Sequence, residues 1–433
     1  MPRIARVHAR QIFDSRGRPT VEVDIETDDG SHGRAAVPSG ASTGTSEAWE
    51  LRDGTDEYNG LGVRTAVSHV NGEIARAVLG HDVREQTVLD KSLVELDGTP
   101  QLRRLGANAI LGVSLAACRA AADSENTPLY RWLAALAGTA PSLPMPMVNI
   151  LSGGLHAGRG MDVQDFLAVP ASATTMEEAI DLVSRVRAAA TDAVAARGMP
   201  TLLADEGGLS PGLKTGRAAL ELMVEAIERA GLTPGEDIVV AVDVAAHTLW
   251  DAARGSYHLA REGRYVDTAE MVETIVGWAE DFPVASVEDP LDEEDWRGWK
   301  LLTGWLTDRL NLIGDDLFTT NPERLRRGIG LGAANGVLVK VNQNGTLSGS
   351  LSVIAAARAA GYVSVVSARS GETEDAFISD LAVGTGVGQI KIGSVRNSDR
   401  LAKYNQLLRI AEDPSVSFAG MTAYPRHRAD RIR

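Results

Sequence analysis

Three acidic residues stand at the ends of short apolar runs in the second half of the chain: Asp243, Glu288 and Asp315. If these runs are neighbouring strands of a parallel sheet, the three carboxylates meet at its carboxyl edge. Hard oxygen ligands with room left for water and substrate suit Mg²⁺. Any one acid alone is better explained as a helix cap or a surface ion pair. Three acids in register favour a metal site.

Basic residues follow the next apolar runs. Lys340 directly follows the apolar run at residues 336–339, a setting that a solvated ammonium group fits poorly. Desolvation near other cations is expected to lower its pKa from about 10.4 toward neutrality, which suits a general base. The alternative is a structural ion pair with one of the acids. Lys391 has the same placement and is a candidate for holding a substrate carboxylate. Arg369 and Ser370 offer a forked donor and a hydroxyl for a phosphate, or else form a loop salt bridge.

Two glycine-rich segments favour function over structure. Residues 38–44 are small and rich in hydroxyl groups, which is typical of a loop that closes over a site, although an ordinary surface loop has the same composition. His156 lies among glycines in residues 152–158, where a structural histidine has little to pack against. Residues 384–388 are also glycine-rich but lack a strand-to-helix context, so they predict no nucleotide site.

The elements that must position these residues follow from periodicity. Residues 20–26 alternate apolar and polar side chains and end at a turn, which predicts an antiparallel sheet. A proline-rich segment at 138–146 predicts a boundary between an N-terminal α+β domain, 1–138, and a catalytic domain, 139–433. There, apolar strands alternate with amphipathic helices, so the fold class is α/β, with a (β/α)₈ barrel whose usual size is about 250 residues.

Composition excludes several functions. The 433 residues carry 43 basic and 58 acidic side chains, a net charge of −15, which disfavours nucleic acid as a partner. The single cysteine, Cys118, lies among apolar residues and is predicted to be a small buried side chain in a reducing compartment. No signal-like or membrane-spanning run is present, which predicts a cytoplasmic protein without a membrane partner.

Several motifs in a fixed order carry a family resemblance. They are DSRGRPTVEV at 14–23, SGASTG at 39–44, GANAIL at 106–111, DEGG at 205–208, KVNQ at 340–343 and SGETED at 370–375. From about residue 4 to 411 the chain resembles the enolase (phosphopyruvate hydratase) family. The resemblance implies a small α+β domain before a barrel whose first strands and helices do not simply alternate. It also implies a homodimer or higher homo-oligomer.

The resemblance further implies a glycolytic lyase that converts 2-phosphoglycerate, a small phosphorylated carboxylate, to phosphoenolpyruvate with two Mg²⁺ per site. The enolase superfamily is an established case of a lysine or histidine base acting with magnesium. Lys340 would remove the C2 proton and Glu206 would protonate the departing C3 hydroxyl. The implied first metal site is Asp243, Glu288 and Asp315, and Ser42 would contact the second metal and the substrate. Further implied catalytic or substrate-binding residues are Asp165, His156, Gln164, Arg369, Ser370 and Lys391.

The chain departs from the family at a few of these places. Ala368 replaces a histidine, Asp165 replaces a glutamate, Asn344 stands where isoleucine is usual, and His247 and Thr248 replace serine and glutamate. In the resembled enzymes the first two positions lie toward the leaving hydroxyl. The departures therefore predict preserved enolate formation and altered elimination.

Three interpretations follow from this pattern. The first is an enolase with a reduced rate. The second is a relative similar to carboxyphosphonoenolpyruvate synthase of phosphonate biosynthesis, which handles a bulkier phosphorus substituent. The third is a catalytically silent binding or structural homologue, and the intact Lys340, Glu206 and metal acids count against it.

Overall fold

The computed structural model describes residues 1–41 and 44–426. The chain begins with an antiparallel sheet in the order β1 (Ile4–Phe13), β2 (Pro19–Thr27), β3 (His32–Ala36). Alternate residues of β2, among them Val23 and Ile25, are fully buried because they face the helix Ala107–Ser124. In β3, Gly33 allows the same helix to approach closely, since a Cβ there would lie 2.0 Å from the Ala116 carbonyl oxygen.

Helices complete the first domain. The main ones are Arg64–His69, Ala75–Val78, Gln86–Asp97, Ala107–Ser124 and Leu129–Ala137, with a π-helical turn at Val70–Ile74. Short 3-10 turns lie at Glu57–Gly60 and Pro100–Leu102. Cys118 is completely buried in the helix Ala107–Ser124, and burial raises the pKa of its thiol. The prediction of a small buried side chain is confirmed.

Eight strands close a barrel. They are β4 (Met145–Ser152), β5 (Asp165–Val169), β6 (Val239–Asp243), β7 (Val284–Glu288), β8 (Asn311–Gly314), β9 (Gly336–Val339), β10 (Val363–Ser367) and β11 (Gly388–Gly393). Strand β5 runs antiparallel to both β4 and β6, whereas the other neighbours are parallel. Two strands precede the first barrel helix, so the predicted barrel with a non-alternating start is confirmed.

The helices around the barrel begin with side-chain caps at several positions. Thr175 and Thr215 accept a hydrogen bond from the third following amide, and Asp267 and Glu270 form a capping box. The helices are Met176–Ala196, Gly216–Arg229, Thr268–Asp281, Trp296–Leu306, Pro322–Leu331, Val341–Asn344, Leu347–Ala359, Phe377–Thr385 and Ser398–Ala411.

The remaining elements are short. Small strands lie at Ser142–Leu143, Trp250–Asp251, Ser256–Leu259, Arg264–Val266 and Ser417–Phe418, and 3-10 turns at Leu155–Ala157, Ala246–Leu249 and Gly420–Ala423. Tyr424 is buried among the apolar side chains that fill the barrel interior, including Met145 and Val239. In the described part of the chain, no helix is both long and apolar enough to cross a membrane. The polar side chains collect where the parallel strands end.

Candidate active site

The predicted acids lie at neighbouring strand ends. Asp243 and Glu288 are the last residues of β6 and β7 and are paired in register, and Asp315 directly follows β8. All three are buried. Lys340 directly follows β9, and Lys391 lies within β11. The structure therefore brings the acids and both lysines to one end of the barrel, as the sequence pattern predicted.

The two lysines are paired with the acids. The Lys391 ammonium donates to Asp243 Oδ2 at 2.7 Å and to Glu288 Oε2 at 2.6 Å, and the Lys340 ammonium donates to Asp315 Oδ2. Burial lowers the pKa of both lysines, but the neighbouring carboxylates outweigh it, so both pKa values lie above the usual range. The expectation of a lowered Lys340 pKa is therefore wrong for this arrangement, because Asp315 stabilises the charged ammonium.

Glu288 retains an unsatisfied oxygen. Its Oε1 is buried and has no hydrogen-bond partner among the described residues. Burial and the adjacent Asp243 charge raise the pKa of Glu288 well above its usual range. For Asp315, burial also opposes ionisation, but Lys340 and then Arg369 outweigh it and lower the pKa. A buried, unpartnered carboxylate oxygen between two acid-bearing strands fits a hard divalent cation.

Two further acids, Asp289 and Asp316, lie beside the predicted Asp315 and were missed by sequence reasoning. Carboxylate oxygens of Asp289, Asp315 and Asp316 lie within 4.8 Å of one another. Asp289 accepts hydrogen bonds from the backbone amides of Asp315 at 3.0 Å and Asp316 at 2.7 Å. Burial and the Asp315 charge raise the pKa of Asp316 to about 7. Asp289 thus fixes the loop that carries Asp315, and the paired acids after β7 and β8 were the available signal.

Asp165 reaches the same end of the barrel because β5 is reversed. Its backbone pairs with Ser152 on one side and Asp243 on the other. Asp165 Oδ1 accepts hydrogen bonds from Asn149 Nδ2 at 2.6 Å and Ser152 Oγ at 2.9 Å, and lies 3.1 Å from His156 Nε2. Sequence reasoning missed Asn149 and Ser152, although polar residues in the apolar strand β4 were a visible signal.

His156 and Glu206 are both buried. Burial lowers the pKa of His156, but the Asp165 carboxylate outweighs it and raises the pKa to about 9. For Glu206, burial favours the neutral acid, yet Arg400 and then His156 and Lys391 lower its pKa. The neighbouring charges therefore favour the cationic imidazole of His156 and the ionised form of Glu206.

The residues implied for substrate binding surround these groups. Gln164 Nε2 donates to Asp243 Oδ2 at 3.1 Å. The Arg369 guanidinium donates to Glu47 Oε2 at 2.9 Å and to Asn342 Oδ1 at 3.0 Å, so the predicted ion-pair alternative is present there. Ser370 is buried, with its carbonyl oxygen held by Arg400 at 2.8 Å. Ser42 lies outside the described residues.

Two of the departures from the family, Ala368 and Asn344, differ in the contacts that they make. Ala368 is buried beside Lys391, to whose carbonyl oxygen its amide donates at 2.9 Å. Asn344 instead has a structural role, because its side chain donates to the Thr320 carbonyl oxygen at 3.1 Å and accepts from Thr346 Oγ1 at 3.0 Å.

The two departures after β6 differ from each other. His247 Nδ1 lies 3.3 Å from Asp292 Oδ2 at the rim of the barrel. Thr248 Oγ1 donates to the carbonyl oxygen of Ala245 at 2.9 Å, within its own turn. His247 therefore adds a long-range ion pair, whereas Thr248 makes only a local hydrogen bond.

The active sites of (β/α)₈-barrel enzymes lie at the carboxyl ends of the barrel strands. The acids and lysines of this chain are gathered at the same end, so its fold and site are those of a barrel enzyme. Residues 4–133 match the family described as "Enolase, N-terminal domain", and residues 140–425 match "Enolase, C-terminal TIM barrel domain". The chain is also 50% identical over 431 residues to "Enolase" of Acidothermus cellulolyticus, covering 98% of both chains. The chain therefore belongs to the enolase family and is a hydro-lyase.

Proposed function

We propose that this protein dehydrates 2-phosphoglycerate to phosphoenolpyruvate in a magnesium-dependent, glycolytic reaction. The observation that carries the proposal is the pairing of Lys340 with Asp315 at the end of the barrel where Asp243 and Glu288 also lie. A base for the C2 proton then stands beside the acids that hold the metal. The family membership supports the same reaction.

Asp243, Glu288 and Asp315 are proposed to hold the first Mg²⁺, and Ser42 to contact the second. The unpartnered Oε1 of Glu288 supports the first assignment. When bound, magnesium supplies fixed positive charge against the negative charge that develops when a proton beside a carboxylate is removed.

Lys340 is proposed to remove the C2 proton. It accepts a proton only in its neutral form, which the negative charge of Asp315 opposes. Any group that neutralises the negative charge of Asp315 therefore lowers the pKa of Lys340 toward the range of a general base. The Lys340 side chain is 12% exposed, so most of its surface is shielded from solvent.

Glu206 is proposed to donate a proton to the departing C3 hydroxyl. Its pKa is lowered by surrounding cations, and an anionic substrate that pairs with those cations removes this effect. Asp165 and His156 are proposed to act on the same side as one hydrogen-bonded unit. The proposed substrate-holding residues are Gln164, Arg369, Ser370, Lys391 and Ser42.

Domain organisation and setting are part of the proposal. A division at residues 138 and 139 is supported by the family matches, which end at 133 and resume at 140. The resemblance supports a homodimer or higher homo-oligomer. The resemblance and the single buried cysteine both support a cytoplasmic location.

A carboxyphosphonoenolpyruvate synthase is the second candidate, because Ala368 places a methyl group where the family has an imidazole. The test is to incubate the purified protein with 2-phosphoglycerate or a carboxyphosphono analogue, each with Mg²⁺ or with excess chelator. We expect phosphoenolpyruvate from 2-phosphoglycerate only when Mg²⁺ is present. Turnover of the analogue alone would support the second candidate, and turnover of neither would contradict both. Undiminished turnover in chelator would contradict the metal assignment.

A further inference from the structure

Glu47 is a buried acid that belongs to neither the predicted metal site nor the predicted catalytic residues. Its carboxylate accepts four hydrogen bonds. Gly44 N and Gln343 Nε2 donate to Oε1 at 3.0 and 3.2 Å. Arg369 donates through Nη1 to Oε2 at 2.9 Å and through Nη2 to Oε1 at 3.3 Å. Glu47 therefore faces both terminal nitrogens of the guanidinium fork.

Gln343 extends this contact to the acids at the barrel end. Its amide nitrogen also donates to Asp315 Oδ1 at 2.8 Å, and its Oε1 accepts from Thr320 Oγ1 at 2.7 Å. The two carboxylates fix which end of the amide faces them, because only its nitrogen can donate to both. One carboxylate of the first domain is thus connected to Arg369 directly and to Asp315 through one amide.

We propose that Glu47 is a positioning residue that fixes the guanidinium of Arg369 and, through Gln343, the carboxylate of Asp315. For Arg369 the inference rests on the proposed function, in which that guanidinium holds the substrate phosphate. A charged fork bound to a carboxylate through both nitrogens has one orientation, so little ordering remains to be done when an anion arrives. The first domain thereby contributes to anion binding through a residue that does not itself touch the substrate.

Glu50 offers a matched control in the same segment. Its carboxylate accepts from Arg52 Nη2 at 2.7 Å and from Ser39 Oγ at 3.0 Å. Glu50→Gln therefore replaces a nearby carboxyl group without removing a hydrogen-bond acceptor of Arg369 or Gln343. Any effect confined to Glu47 reports its particular contacts rather than a general effect of replacing a carboxyl group in this segment.

The experiment compares Glu47→Gln, Glu47→Asp and Glu50→Gln in the full chain, below the melting temperature of each. We expect Glu47→Gln to raise KM for 2-phosphoglycerate and the inhibition constant of inorganic phosphate about tenfold, the cost of one charge-assisted hydrogen bond, with a smaller change in kcat. Glu47→Asp should regain part of both losses. Glu50→Gln should leave both constants within about twofold, as expected away from the contact.

A second measurement separates positioning from a general loss of stability. Because Glu47 is proposed to act on the phosphate-binding group only through Arg369, combining Glu47→Gln with Arg369→Lys should raise the inhibition constant of inorganic phosphate no further than Arg369→Lys alone. The proposal would be overturned if the effects of Glu47→Gln and Arg369→Lys multiplied in the double variant. It would also be overturned if Glu47→Gln and Glu50→Gln had equal effects. If the wild-type protein does not turn over 2-phosphoglycerate, the proposed function fails. Calorimetric titration of inorganic phosphate with Mg²⁺ then still tests Glu47, and equal affinities of wild type and Glu47→Gln would overturn its role.

Discussion

The side of the barrel end that carries Lys340 differs from the side that carries Glu206. Around Lys340, cations and anions are paired directly: Lys340 with Asp315, and Arg369 with Glu47. Around Glu206, one oxygen of Asp165 instead gathers Asn149, Ser152 and His156. The first side is a set of matched charges, and the second is a hydrogen-bonded network around a short carboxylate.

Two of the departures from the family, Asp165 and Ala368, follow the same division, because both belong to the Glu206 side as the family resemblance defines it. The predicted metal acids and Lys340 are the family's own residues, although Asn344, His247 and Thr248 depart nearby. In the proposed mechanism, removal of the C2 proton depends on the ion pairs around Lys340, and loss of the C3 hydroxyl depends on the altered network. The comparison therefore predicts that the two half-reactions can change separately.

The largest expected effect is that of Lys340→Ala. Removal of the base should lower turnover of 2-phosphoglycerate by about 10⁴-fold, the upper range for a general base, and abolish exchange of the C2 proton with solvent. Turnover is measured as phosphoenolpyruvate formation and exchange by NMR in deuterated water. Persistent exchange in this variant would remove Lys340 from the base role.

Glu206→Gln should have a smaller and selective effect. Without the acid, dehydration should fall by about 10²- to 10³-fold, while C2 exchange continues because the base is intact. The same two measurements apply, with Lys340→Ala as the matched comparison. Equal losses of exchange and dehydration in both variants would contradict the division between the two sides.

Restoring the family's residues on the Glu206 side should change activity moderately, and the direction of the change distinguishes two interpretations of the protein. If the protein is a slow enolase, Ala368→His with Asp165→Glu should raise 2-phosphoglycerate turnover by about tenfold, because an orienting or proton-transferring contact returns. If it is specialised for a bulkier substrate, the imidazole should occupy the required space and lower activity on the carboxyphosphono analogue. No change on either substrate would mean that these positions do not determine specificity.

The smallest predicted effect lies at His247, on the rim. Its hydrogen bond with Asp292 raises its pKa to about 9, so the pair stabilises the fold fully below the unfolded pKa of about 6.5. This contribution is lost as the pH rises through about 9. Because His247 is about one-third exposed, solvent screening should limit it to about 1 kcal/mol. Denaturant unfolding of wild type and His247→Ser should show this difference at pH 7 and none above pH 10. In an Asp292→Asn background the difference at pH 7 should be smaller, because Glu293, at 3.9 Å from His247 Nδ1, remains as a weaker partner.

The sequence predicted the sites that depend on local pattern. Asp243, Glu288 and Lys340 were found because buried parallel strands appear as apolar runs, and chemistry collects where such runs end. Strand direction leaves no such signal. The resemblance implied a non-alternating start of the barrel, but the reversed direction of β5, which brings Asp165 to the barrel end, was not predicted.

The sequence did not decide which charged residues pair, because it offered an ion pair of Lys340 with one of the acids only as an alternative. The contact of Lys340 with Asp315 reversed the expected direction of the lysine pKa, because burial alone predicts a decrease while the partner charge causes an increase. Glu47 and Arg369 lie 322 residues apart, and neither neighbourhood contains a pattern that indicates the other.

The separation of the two sides is tested most directly by following the wild-type protein with 2-phosphoglycerate and Mg²⁺ in deuterated water. Deuterium at C2 of the remaining substrate reports the Lys340 side, and phosphoenolpyruvate reports the Glu206 side. We predict that C2 exchange exceeds dehydration by about tenfold or more, because proton removal is intact while elimination is impaired. Phosphoenolpyruvate that forms as fast as, or faster than, deuterium enters the remaining substrate would contradict this account.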